Sequence, residues 1–305
     1  MPLTDKLDFG FVLPCRSWAP IDMDLVRRVA VRADALGFKD LWVTENTLDD
    51  AFSFDAAVIL TYAAALTRRI RLGASVVVLP LHSPVHVAHQ FASLDYVSGG
   101  RAILGVGLGR AAHYRDFGVP VDRRVRRFNE GVDVIKALWT QPQAAYHGQI
   151  FDVQAGMQIK PVQKPHPPIW LGAYNVNGYR RAARIADGWM GAGGSSKAAL
   201  TEAASVIRES LAEFGRDAPA FALSKRVFMS VEDNPEVARA EALRWFTEVY
   251  HNPGMLDTHG FHGTPEQLRE YLEELAGTGL NHVLLNPVAR QDEQIEALAE
   301  VVGLK

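Results

Sequence analysis

A single cysteine in 305 residues has no partner within the chain, so an intrachain disulfide is excluded and a reducing compartment is expected. Cys15 stands at the end of an apolar run and reads as a small buried hydrophobe. No window approaches about 18 uninterrupted apolar residues, so no membrane-spanning helix is expected. The opening "MPLTDKLDFGFVLP" lacks the basic start and long apolar stretch of a secretory leader, which makes the cytoplasm the expected location. An excess of one charge is missing too. The 32 Lys and Arg nearly balance 35 Asp and Glu, leaving a net charge of -3 and no electrostatic footprint for nucleic acid. No Pro- or Ser-rich linker divides the chain, so residues 1–305 are expected to form one domain.

What is present is an alternation. Short apolar runs at 8–14, 40–45, 70–80, 102–109, 168–174, 188–193, 221–231 and 282–288 read as buried strands. Amphipathic stretches at 22–37, 55–67, 83–100, 126–139, 178–187, 197–214, 235–250, 265–278 and 291–302 read as helices. Near-continuous apolar strands between helices indicate a parallel sheet covered on its outer face. Eight such units in a chain of this size point to an α/β fold, a (β/α)8 TIM barrel. Residues 140–168, rich in Gln, Pro and Gly, are an irregular insertion between strands 4 and 5.

The stretch "ILGVGLGRAAHY" (103–114) poses the first functional question, with Gly105, Gly107 and Gly109 at alternate positions. A dinucleotide-binding fingerprint needs G-x-G-x-x-G after the first strand, with a helix directly following. Here the third glycine is one residue early, the run is the fourth strand, and "RAAHYRDFGVPVDRR" intervenes before the next helix. The Rossmann reading fails. Two others stay open: the glycines relieve crowding inside the barrel, or they let a flat ring lie against the backbone.

Several stretches, in order, resemble one family. They are "ADALGFKDLWVTEN" (33–46), "RRIRLGASVVVLPLHSPVHVAHQFASLDYVSGGRAILGVGLGR" (68–110) and "FGVPVDRRVRRFNEGVDVIKALW" (117–139), followed by "KPVQKPHPPIWLGA" (160–173), "RRAARIADGW" (180–189) and "GTPEQLREYLEELAGTGLNHVLL" (263–285). With these, the chain resembles the bacterial luciferase-like superfamily of flavin and deazaflavin oxidoreductases, over nearly its whole length. The resemblance implies coenzyme F420 or, as the alternative, FMN, together with a small-molecule substrate and a homodimer.

Barrel sites lie at the C-terminal ends of the strands. Strand two delivers Glu45 and Asn46, read either as loop polarity or as partners for a cofactor ring or substrate. The resemblance implies a non-prolyl cis peptide at Ser75–Val76, behind the ring. Strand four gives Gly107, Leu108, Gly109 and Arg110. In the family's deazaflavin-dependent sugar-phosphate dehydrogenases a glutamate general acid corresponds to Arg110, and a histidine to Asn46. With that pair replaced, oxidation of that sugar phosphate is not expected, and His113 and Tyr114 become the candidate proton donors. Leu108 falls where luciferase has an arginine for the FMN phosphate, which favours the deazaflavin. After strand five, Gly172, Ala173, Tyr174, Asn175, Asn177 and Gly178 precede or open a helix whose free N–H groups suit the cofactor phosphate. Asn286 is a candidate for the pocket floor. Trp18, Phe52, Tyr114 and Tyr174 are candidate apolar walls. The basic "RRVRR" (123–127) is either a surface helix or a contact for an acidic cofactor tail. His82, His86 and His89 share one helical stretch without a carboxylate or cysteine beside them, and read as packing or surface residues rather than a metal site.

Three functions follow. The first is hydride transfer between F420 and a small organic substrate. The second is an FMN-dependent two-component monooxygenase, and the third is a catalytically silent ligand-binding barrel.

Overall fold

The computed structural model describes residues 2–304. Eight parallel strands close into a barrel: β1 (Asp8–Val12), β2 (Asp40–Val43), β3 (Arg71–Ala74), β4 (Ala102–Gly107), β5 (Ile169–Gly172), β6 (Gly188–Gly191), β7 (Ala222–Val231) and β8 (His282–Pro287). Each pairs with the next, and β8 returns to β1 with Asp8 opposite His282, so no edge is left within the ring. The outer helices are α1 (Met23–Leu36), α2 (Ala56–Leu66), α3 (Pro84–Ser98), α4 (Arg124–Thr140), α5 (Val176–Ile185), α6 (Lys197–Glu213), α7 (Pro235–Tyr250), α8 (Pro265–Gly277) and α9 (Gln291–Val302). Their starts carry the expected chemistry. Asp22, Asp55, Asn175, Ser196, Asn234 and Thr264 each accept a backbone N–H in the first turn.

Two of the expected elements differ. The run 70–80 is not one strand. Gly73 lies opposite Ile103 and Val77 opposite Val106, so β3 spends four steps where β4 spends three. One extra residue is therefore bulged, and Val77–Val78 then re-pairs with β4 alone. The insertion 140–168 is not wholly irregular either: Ala144–His147 and Asp152–Ala155 form an antiparallel hairpin. Phe228–Val231, the upper half of β7, pairs with a further short strand, Gly260–Gly263.

Alternation along each strand sends one set of side chains to the helices and the other into the barrel. The inner set includes Val12, Trp42, Ile103, Trp170, Met190 and Leu284. Trp42 and Trp170 meet with ring centroids 5.0 Å apart. Trp42 fits because its neighbours are bare: a Cβ on Gly73 would lie 2.5 Å from its ring, and one on Gly10 3.0 Å away.

Below these rings the barrel holds charge. Asp40, fully buried, accepts from Trp42 Nε1 at 2.5 Å and from Arg71 at 2.8 Å. With Nε2 protonated, His282 donates to Asp40 at 2.9 Å while its Nδ1 accepts the Ser224 hydroxyl at 2.7 Å. This Ser–His–Asp relay lies at the N-terminal end of the strands, sealed under two indoles, so it closes the barrel floor. Burial opposes the Asp40 charge, but His282 and Arg71 outweigh it and hold the carboxyl below the usual carboxylate range.

Removing this charge strands its buried partners. Asp40→Asn is expected to cost about 3–5 kcal/mol in urea unfolding at pH 7. Since the folded-state pKa is depressed, the wild-type advantage is full above about pH 5 and is lost as the pH falls through about 4 and below. The gap between the two unfolding curves narrows in acid.

Candidate active site

At the C-terminal mouth of the barrel is a cavity of about 390 Å³, within the range of small-molecule sites, roughly 300–1,000 Å³. Its walls come from the residues after β1 through β4 and from the upper halves of β7 and β8. Ser75 and Val76 form part of that wall, and the peptide bond between them is cis.

The glycines of "ILGVGLG" serve the neighbouring strand. A Cβ on Gly105 would lie 1.9 Å from the Ala74 carbonyl oxygen. One on Gly107 would lie 2.7 Å from Val76 Cγ2, and one on Gly109 2.3 Å from Val78 Cγ1. Gly109 also holds φ at +65°, in the left-handed region. Gly172 backs Val76 from β5, with 3.4 Å to Cγ1. The bare backbone therefore relieves crowding, and what it admits is the bulge of β3. Val76, rather than Gly105 or Gly107, presents its surface to the cavity, with Gly109 at its edge.

Glu45 is engaged with the chain on both oxygens. One accepts the Val78 N–H at 2.6 Å, and the other faces His82 Nε2 at 2.5 Å. It thus ties the end of β2 to the far side of the bulge. The contact with Glu45, helped by Asp55, outweighs burial and raises the His82 pKa. His82, read from the sequence as packing or surface, belongs to the frame of the site. Asn46 donates to Thr44 Oγ1 at 2.8 Å and lines the cavity together with Arg110 and His113.

Other predicted residues lie elsewhere. Tyr114 is buried and its hydroxyl donates to the Leu108 carbonyl at 2.6 Å; burial pushes the phenol up, so it is no proton donor to the cavity. Leu108 packs on the outer core. Gly172, Ala173, Tyr174, Asn175, Asn177 and Gly178 are outside the cavity lining. Asn175 caps α5, its Oδ1 accepting the Gly178 N–H at 2.9 Å. Gly178 is bare because a Cβ would stand 2.6 Å from that of Ala173. The N–H groups of Val176 and Asn177 have no acceptor among the described residues, which keeps an anion place open at this helix start. Of "RRVRR", Arg127 lies over Phe151 at 5.6 Å, against the insertion. Trp18, Phe52 and Tyr174 are exposed and form no wall.

The aromatic wall is instead Phe228, Trp245 and Tyr250. Phe228 could have been found as the residue two past Arg226 on an inward-facing register. Trp245 and Tyr250 lie on α7, and their sequence pattern gives no hint that a helix end overhangs the mouth. Arg16 pairs with Asp49 at 2.5 Å and lies over the Tyr250 ring at 4.6 Å. Arg226 points into the cavity from β7, and Asn286 from β8. Lys225, facing outward, donates to the Gly193 carbonyl at 2.6 Å and that of Ser195 at 3.1 Å; burial, with Arg226 beside it, pushes it down to about 8. Cys15 is buried and its thiol is pushed up, as an inert thiol should be.

A closed parallel barrel with a cavity at its C-terminal mouth and a bulged third strand defines an enzyme-like α/β barrel. The profile of the family described as Luciferase-like monooxygenase matches residues 7–304, and the chain belongs to that family. An uncharacterized protein of Mycobacterium tuberculosis is 31% identical over 267 residues, spanning 80% of this chain and 90% of that one. The F420-dependent glucose-6-phosphate dehydrogenase of Kineococcus radiotolerans is 28% identical over 248 residues, 78% of this chain and 72% of its own. The 5,10-methylenetetrahydromethanopterin reductase of Archaeoglobus fulgidus is 30% identical over 233 residues, 75% and 67% respectively.

Two solved structures share the fold. An F420-dependent secondary alcohol dehydrogenase with an F420-acetone adduct superposes with a TM-score of 0.84 at 20% identity, covering 97% of this chain and 98% of that one. The oxygenating constituent of 3,6-diketocamphane monooxygenase from Pseudomonas putida, with FMN, gives 0.77 at 18% identity, covering 98% and 97%.

The Glu45–His82 contact sets a titration. In wild type, the His82 ring is expected to titrate above about 6.5, and Glu45→Gln to lower it. Proton NMR of the imidazole carbon-bound protons reads both. Because the folded-state pKa is raised, the pair stabilises the fold below the unfolded pKa, and that gain is lost as the pH rises through the folded one. An unshifted His82 in Glu45→Gln would remove the contact.

Proposed function

We propose that this protein is an oxidoreductase transferring a hydride between the deazaflavin coenzyme F420 and a small organic substrate. The observation that carries this reading is that two relatives named for deazaflavin-linked or methanopterin reduction chemistry align at 28% and 30% identity over three-quarters of the chain. FMN, native or modified, is represented at 18% and 19%, by fold alone.

The residues fit such a group. The cavity is of ligand size, Val76 gives it an apolar wall, and the free N–H groups at the start of α5 suit a phosphate. When bound, F420 supplies a carrier of two electrons as hydride, and the chain need only bind, orient and move a proton. In this reading Ser75 and Val76 back the ring, while Gly107, Gly109 and Gly172 hold that wall in place. Ala173, Asn175, Asn177 and Gly178 shape the phosphate-binding turn, with Tyr174 and Leu108 beside it. Glu45 is a positioning residue. Asn46 and Arg110 face the substrate side, and His113 is the imidazole placed to hand a proton across the cavity.

A homodimer is part of the same reading. Val58 and Tyr62 on α2, with Tyr96 and Val97 on α3, are exposed apolar side chains on two helices that pack side by side. Light scattering is expected to give twice the chain mass, and Tyr96→Glu with Val97→Glu to give the monomer.

The deciding experiment is a side-by-side fluorescence titration with oxidised F420 and oxidised FMN at one salt concentration. Saturable, tighter binding of F420 is the expected result. Gly107→Ala, which drives Val76 into the ring's space, should weaken it about tenfold or more. Preference for FMN would turn the reading to a two-component monooxygenase, and binding of neither would leave a silent barrel.

A further inference from the structure

Three guanidiniums border the cavity, and they are not equivalent. Arg16 is neutralised by Asp49, and Arg110 lies exposed on the rim. Arg226 projects from the inner face of β7, half-buried, with neither a carboxylate nor a hydrogen-bond acceptor in reach among the described residues. Phe228 holds it in place, its ring centroid 4.6 Å from the guanidinium carbon. The preceding residue, Lys225, adds a second positive charge from behind and brings only carbonyls with it. A half-buried cation without a counter-charge is costly unless a ligand supplies the charge.

Asn286 makes the same point independently. It is 8% exposed, lines the cavity, and its amide makes one long contact, 3.4 Å to the Pro287 carbonyl. Phe228 stands opposite Asn286 and Arg226 opposite Leu284 in the register, so Arg226 and Asn286 are diagonal neighbours on the inner faces of adjacent strands. Beyond them the cavity turns apolar. Phe228 and Trp245 have centroids 4.9 Å apart, and Trp245 and Tyr250 5.2 Å.

We propose that Arg226 and Asn286 are the subsite for the carboxylate of a small organic acid, whose apolar or aromatic body lies against Phe228, Trp245 and Tyr250. The planar guanidinium fork matches a carboxylate at two points, and the amide adds a neutral donor. This deepens the hydride-transfer reading, on which it rests for what is done to the acid, though not for its binding.

The test is calorimetric titration of the full chain, with and without saturating F420, against phenylacetate, phenylacetamide and phenyl phosphate. Phenylacetate is expected to bind saturably, with phenylacetamide at least about tenfold weaker, since a charge-assisted pair is lost. Arg226→Gln should abolish that difference, and Asn286→Ala should weaken phenylacetate several-fold; near-UV circular dichroism checks that both variants fold. Equal binding of acid and amide, phenyl phosphate binding tenfold tighter than phenylacetate, or Arg226→Gln binding phenylacetate like wild type would each overturn the proposal. Phenylacetate held through Arg226 by a protein that ignores F420 would leave the acid site standing while the cofactor reading fell.

Discussion

The site depends on how closely β3 can approach β4. One extra residue in β3 has to go somewhere, and the inside of a filled barrel offers no room for it. Room exists because Gly105 and Gly107 face inward without side chains. The Ala74 carbonyl and the Val76 methyls occupy what a Cβ would fill. Val76 is thereby moved from the strand's plane to the cavity wall, and Glu45 and His82 secure the far end of the bulge. Substituting either glycine with even a methyl group sets that methyl against the Ala74 carbonyl or against a packed valine.

The barrel separates its charges by height. At the N-terminal end, Asp40 is matched by His282, Arg71 and Trp42, and two indoles close the layer from above. At the C-terminal end, Arg226 and Asn286 face open space with little to satisfy them. The same fold thus holds one polar cluster that stabilises and another that is left for a ligand. The difference lies in partners, since β7 and β8 contribute to both, Ser224 and His282 below and Arg226 and Asn286 above, at alternate positions.

Much of the architecture was legible in the chain. Eight apolar runs and the capped helices between them carry strong local signals, because a strand buried on both faces needs apolar residues throughout and a helix start needs Ser, Thr, Asp or Asn. The break in 70–80 was not legible from pattern, since a bulge changes pairing without changing polarity. The hairpin in 144–155 was hidden for another reason: each strand is only four residues long, too short for its alternation to stand out among Gln, Pro and Gly. Glu45, Asn46, Gly109, Arg110 and His113, singled out because barrel sites follow strand ends, line the cavity, as do Ser75 and Val76, which the family resemblance had singled out. Tyr114 misled, because the turn of His113–Asp116 directs neighbouring side chains to opposite sides.

By itself the sequence determined the eight strands and the barrel class, and it pointed to the end at which a site was expected. These follow from periodicity and strand-end chemistry, which are local. Only the tertiary structure decided that the glycines make space for Val76, that Glu45 is tied to His82 and Val78, and that Arg226 stands without a counter-ion. Each of those is a relation between residues 30 or more positions apart or on different strands, and no local pattern encodes which distant side chain will fill a gap or neutralise a charge.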